Sequence, residues 1–320
     1  MNFSGQTGVG QLLKLGMMLA CLLFAGCYTT SVRLPPLPPN AVKPVIAVSL
    51  FENETGFAGQ WKLGRGIPDL LVAELLNTDY VEVVDRQHIG AVVNEIKRQG
   101  QALFRKENVV TRGRLKNARY LVRGAITDFT QTGSASGWFS APHVNARLSG
   151  ARAIVMVNIT LIDVETGEIL KSISAGGTAR ASGRWIKFDY RGIAFGGEAF
   201  FRTPIGTATR TAIKKAAASI VQAIPITLWQ PRIADASAEM VIINGGINMG
   251  VNTGDVFVAR TAGRPITDPE TGDIIGHHPG ENTGRVQVIR VTQTAAEALV
   301  VEGRPLTGHY LEKIATPPAK

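Results

Sequence analysis

The chain has 320 residues, of which 45% are hydrophobic and 18% charged, with a formal net charge of +9. That length accommodates two domains with sizeable cores, and 35 glycines beside few aromatics suggest strands and turns rather than a charged helical bundle. The charge does not make a nucleic-acid binder, because Lys and Arg are dispersed and the densest run, residues 105–116, has almost no aromatic to stack on a base. That run reads as a solvated helix and loop face, with attraction to acidic lipid headgroups as the functional alternative.

The only cysteines, Cys21 and Cys27, lie in the first 30 residues, so the body has neither a disulfide framework nor a thiolate metal site. Lys14 precedes an apolar run over 15–24 and then Ala25-Gly26-Cys27. A basic start, a short apolar run and small residues describe a secretory signal over 1–26, and the run falls short of the about 20 residues a membrane helix needs. Cys27 after Ala-Gly resembles a lipobox, which implies a covalent diacylglycerol on Cys27 and a membrane tether that does not span. Tyr28, where an Asp would hint at inner-membrane retention, favours the outer membrane. Residues 27–43 form a lipidated tether, extended through its Pro-rich stretch 34–39.

In the body, residues 44–230, the order is strand 44–50, turn 53–56, helix 67–77, strand 81–84, Asp85 capping a helix over 86–99, and strand 120–126. These make an α/β layer. Residues 127–153 then alternate: Phe129, Gly133, Ala135, Gly137 and Phe139 share one parity going out, and Val144, Ala146 and Leu148 coming back. A second alternating stretch covers 176–203, with Ile193, Phe195, Gly197, Ala199 and Phe201 on its return. Both read as long β-hairpins, apolar on one side. Trp138, Phe139, Trp185, Phe188 and Tyr190 near their turns match the aromatic rim of a membrane barrel, which one chain with four arms completes only with its copies. Two surface hairpins of a soluble sandwich are the competing reading. A helix over 207–224 follows.

The lipobox, VSLFENETG (48–56), VDRQHIGAVVNE (84–95), LVRGAITDF (121–129) and VNITLIDVETGEIL (157–170) together resemble the CsgG family of curli secretion lipoproteins, including its holdfast-anchor members. The resemblance covers about 27–225 and implies an α+β fold: a periplasmic α/β domain with two membrane-spanning hairpins, at about 127–153 and 176–203, that join into one barrel in a homo-oligomeric ring, nine-fold in the curli case. It implies an outer-membrane location, a channel for unfolded secreted subunits without ATP, and periplasmic or extracellular accessory partners. It also assigns a pore constriction to the segment after the first strand, here 57–65. Trp61, Lys62, Leu63 and Arg65 are the candidates, with Lys62 as a ring of charge favouring acidic or polar chains and Trp61 equally suited to packing against a neighbour.

Residues 236–314 carry further strands (240–246, 254–260, 284–291, 298–301) and a turn at 267–273, and resemble the small β-barrel, SH3-like C-terminal domain of the flagellar assembly protein FlgT, a protein-contact module. His277-His278 is a poor metal pair, because neighbours in a strand face opposite sides. With no Walker loop, G-x-S-x-G or H-E-x-x-H, neither an enzyme nor a cofactor is expected. A secretion channel is one expectation. A periplasmic lipoprotein that scaffolds or activates an envelope machine, such as a flagellar basal body or cell-wall synthase, is the other.

Overall fold

A computed structural model of the chain describes residues 34–99, 115–132, 151–181, 190, 192–272 and 274–314. The chain divides into two units, residues 1–35 and 36–320. Of the first only Leu34 and Pro35 are described, so Cys27 and the signal segment lie outside the described residues.

The second unit is built first around a five-stranded mixed sheet. Its strands are β2 (Val45–Asn53), β3 (Glu82–Val84), β4 (Tyr120–Thr132), β5 (Ala151–Asp163) and β6 (Ile169–Ala181), in the order β3-β2-β4-β5-β6. β2 runs parallel to β3 and β4, while β4, β5 and β6 are antiparallel. Alternation along the strands drives one face inward: Ile46, Val48, Val122, Ile126, Val155, Val157, Ile159 and Leu161 are buried. Helices α1 (Leu63–Thr78) and α4 (Pro204–Ala223) supply that core with Ile67, Leu71 and Leu75, and with Ile205, Ala208, Ala212, Ile213 and Ala216. α4 starts on Pro204, with the Thr203 hydroxyl accepting from the N–H of Gly206 at 3.1 Å. Its small residues bring its backbone down onto β6: a Cβ on Gly177 would be driven into the carbonyl oxygen of Ala208 and stand 2.8 Å from the nitrogen of Ala212.

Helix α2 (Ile89–Gln99) begins three residues later than expected and buries none of its residues. Asp85, expected to cap it, lies four residues ahead of the first helical residue and accepts instead from the N–H of His88 at 2.9 Å and from its ring Nδ1 at 2.8 Å. Burial raises the Asp85 pKa, but these bonds and the charge of His88 outweigh it and hold the carboxyl below its ordinary value.

The strand β1 (Ala41–Val42) pairs with β7 (Thr227–Leu228), which fastens the end of the Pro-rich stretch to the segment leaving α4. Beyond it stands a six-stranded sheet, β15-β10-β13-β14-β9-β8, made of β8 (Ile233–Ala236), β9 (Met240–Ile243), β10 (Val256–Arg260), β13 (Asn282–Val291), β14 (Ala296–Gly303) and β15 (Tyr310–Ile314). Bonds from Leu311 N–H to the Pro231 oxygen and from Ile233 N–H to the His309 oxygen tie its two ends together. Val241, Ile243, Phe257, Val286, Val288 and Leu311 fill the interior. A separate hairpin, β11 (Pro265–Thr267) with β12 (Ile274–His277), carries the exposed His277.

One turn is used twice. In 163–167 and 268–272 an Asp side chain accepts from the N–H two residues on, at 2.8 Å in each, and its carbonyl accepts from a Gly N–H four residues on. Gly167 and Gly272 have φ of 74° and 77°, a conformation that favours glycine at that position. Among the described residues no helix is long and apolar enough to cross a membrane, and no group of metal-ligating side chains assembles.

Candidate functional site at the end of the sheet

The chain leaves the sheet twice, at one end. Thr132, Arg152 and Arg180 stand opposite one another across β4, β5 and β6, and Ala151 stands opposite Ala181. The 18 residues 133–150 therefore connect two strands still in register, and the eight residues 182–189 leave from the strand beside them. Both stretches lie outside the described residues, and with them Trp138, Phe139, Trp185 and Phe188.

Under this end lies an aromatic cluster. Trp61, 6% exposed, sits at its centre. Its ring meets Phe129 at 6.1 Å, Tyr190 at 5.5 Å and Phe200 at 5.1 Å, all near perpendicular, and Phe195 at 5.8 Å. Edge-to-face contacts at such distances suit aromatic quadrupoles. The indole N–H donates to the carbonyl of Ile193 at 2.8 Å, and Gln60 Nε2 donates to the carbonyl of Tyr190. Tyr190 is fully buried, and its hydroxyl donates to Gln131 Oε1 at 2.5 Å. Gln131 is itself 1% exposed, and its Nε2 has no partner among the described residues. Burial pushes the Tyr190 pKa up to about 12 against the opposing hydrogen bonds.

This cluster corrects several expectations. Tyr190 does not lie at a rim, because its ring and hydroxyl close the core. Trp61 and Leu63 are buried within their own chain, so neither can face a lumen; packing, not a pore, explains Trp61. Lys62 and Arg65 remain exposed, with Arg65 Nη2 against His88 Nε2. Residues 63–65 open α1, so the supposed constriction loop ends at Lys62.

The return of the second hairpin is also different. Residues 192–197 turn, α3 (Glu198–Phe201) follows, and Phe195 and Phe200 fold into the cluster. The period-two spacing of Ile193, Phe195 and Phe201 therefore belongs to an irregular segment and a short helix rather than to a strand. In 127–132, Phe129 points into the core, not outward. A bulge between Ile126 and Asp128 shifts the parity of β4, so that Phe129 and Gln131 continue the buried face begun by Val122 and Ile126.

The opposite face of β4, β5 and β6 is more polar. Arg123, Thr130, Arg152, Asn158, Ser174, Thr178 and Arg180 are exposed on it, with Ile154 and Met156 half-buried among them. Ser174 donates to Asn158 Oδ1 at 2.6 Å across the strands.

With a mixed sheet, two helices on one face and two excursions from one end, this is an α+β scaffold of the kind the resemblance implied. The model of the curli production assembly/transport component CsgG matches residues 28–244. The chain belongs to the CsgG family. A relative from Neisseria meningitidis serogroup B, described as a lipoprotein, is 27% identical over 227 residues, which cover 66% of this chain and 94% of the relative. Among solved structures, the chain is similar to the protein CT253 from Chlamydia trachomatis, at 14% identity and a TM-score of 0.38, over 56% of this chain and 96% of that one. It is also similar to the PelC dodecamer from Paraburkholderia phytofirmans, at 15% identity and a TM-score of 0.28, over 60% and 95%.

Proposed function

We propose that this protein is a lipid-anchored envelope protein, acylated at Cys27 and held at the outer membrane, whose copies form a ring that exports or anchors extracellular fibre, adhesin or matrix subunits. The observation that carries this reading is the register at the sheet end. In this reading residues 133–150 continue β4 and β5, which pair up to Thr132 and Arg152, as two arms of about eight residues joined by a two-residue turn, each arm lengthened by the strand it continues. A barrel strand needs roughly 9–11 residues to cross a membrane, so one such hairpin from each copy is sufficient for a closed barrel. The eight residues 182–189 are too few for a second crossing, so this reading gives two strands per copy rather than four.

Transport needs no catalytic residue, only a lumen and a closed wall. Within the former constriction segment, Lys62 and Arg65 are the charges with access to solvent, and Lys62 is next to the buried Trp61. The test is conductance of the detergent-extracted oligomer in planar bilayers. Deleting residues 134–149 is expected to abolish it while leaving the melting temperature unchanged, and Lys62→Glu to shift it toward cation selectivity. A well-folded oligomer that never conducts would reject the channel.

One observation favours a second reading. Tyr190, Phe195 and Phe200 lock the return of the second excursion into the core, which suits a lipid-anchored scaffold that acts through the face of its sheet or its C-terminal barrel. In that case the 134–149 deletion leaves the activity of the envelope machine intact, while removal of residues 236–314 does not.

A further inference from the structure

We propose that residues 38–42 are a releasable strap: paired with β7 they pin Trp229 and hold the C-terminal barrel in one orientation to the scaffold, and peeled away they let it swing. Residues 224–232 lead from the end of α4 to the first barrel strand. Among the described residues, the helices and strands of the scaffold do not pack extensively against those of the barrel. Two folded bodies joined so narrowly move against each other unless something else fastens them. Trp229 is that fastening. Its N–H donates to the carbonyl of Asn40 at 2.7 Å, beside the pairing of Ala41 with Leu228. Its ring lies so close to Gly245 of the barrel that a Cβ there would stand 2.1 Å from it, and it packs against the barrel's interior. A Cβ on Gly250 of the barrel would meet Pro39 at 3.7 Å. Tether, scaffold exit and barrel therefore meet around one tryptophan.

The same contacts are easily given up. The ladder is two residues long, and Val42, Thr227 and Leu228 are exposed in it, so separating the strands uncovers little apolar surface. The Trp229 indole nitrogen is buried with no partner among the described residues, a desolvated donor that water satisfies once the ring is released. Short, exposed pairings of this kind open before the core of a folded protein does. A channel and an anchored scaffold can each carry such a strap, so the inference does not rest on either reading.

The test is a spin-label distance measurement on the full lipidated chain in detergent, diluted with unlabelled chain so that distances within one copy are read. Ser172→Cys on the scaffold and Gln287→Cys on the barrel, both exposed positions, carry the labels. One narrow distance is expected with the native strap. Replacing residues 38–42 by an equally long Gly-Ser run should broaden the distribution to about twice its width or more, and so should Gly245→Val, which drives the ring off its seat. Hydrogen exchange of residues 284–303 should stay slow in the strap variant. A distribution already broad in the native chain, or one left narrow by either variant, overturns the proposal. Fast exchange across 284–303 in the strap variant also overturns it, because the strap would then be part of the barrel's fold and not a fastening between two folded bodies.

Discussion

Trp61 is held by rings on several sides and by a hydrogen bond to the Ile193 carbonyl. Trp61→Ala should therefore cost about 3–5 kcal/mol in chemical denaturation, as large aromatic truncations in cores do, and Trp61→Phe clearly less. Tyr190 adds a pH dependence. An unfolded tyrosine loses its proton near pH 10 and the folded one near 12, so the stability it contributes is whole below about pH 10 and is lost as pH rises through 12. Melting temperatures across that window should fall more steeply for the native chain than for Tyr190→Phe. At neutral pH, Tyr190→Phe leaves Gln131 Oε1 without its donor and should cost about 1–3 kcal/mol, part of which Gln131→Leu in the same chain recovers.

At the scale of elements, α4 and β6 approach until backbone meets backbone at Gly177. Gly177→Ala cannot relax by a rotamer change, and about 1–3 kcal/mol of destabilisation is expected, measured by urea titration against Gly167→Ala as a variant strained by its φ instead. Strands β2 to β4, helices α1 and α4 and the main barrel strands were legible from apolar runs bracketed by turn residues. The rhythm misled where tertiary structure reset it. The bulge at Ile126 and Asp128 exchanged the faces of β4, and nothing local in ITDFTQ announces it. Ile193, Phe195 and Phe201 keep strand spacing although α3 and the preceding turn carry them, since apolar residues drawn to one cluster can sit an even number of positions apart in any backbone. Tyr190 and Trp61 were legible as important aromatics but not as partners of each other, because 129 residues separate them in sequence.

At the scale of the whole molecule, the chain joins a CsgG-family scaffold to a C-terminal barrel that ties its own two sheet ends together. Cross-strand ion pairs on that barrel, Arg260 with Glu312 and Arg285 and Arg290 with Glu302 and Glu297, are exposed and add little to stability. The proposed export role depends on what stretch 133–150 meets in the native envelope. Single cysteines placed along it, labelled in cells with a membrane-impermeant maleimide, give the most direct reading. The account predicts protection at Ala135, Gly137, Ala146 and Leu148, and labelling at Ser134, Ser136, Asn145 and Ser149; equal labelling at all eight would contradict it.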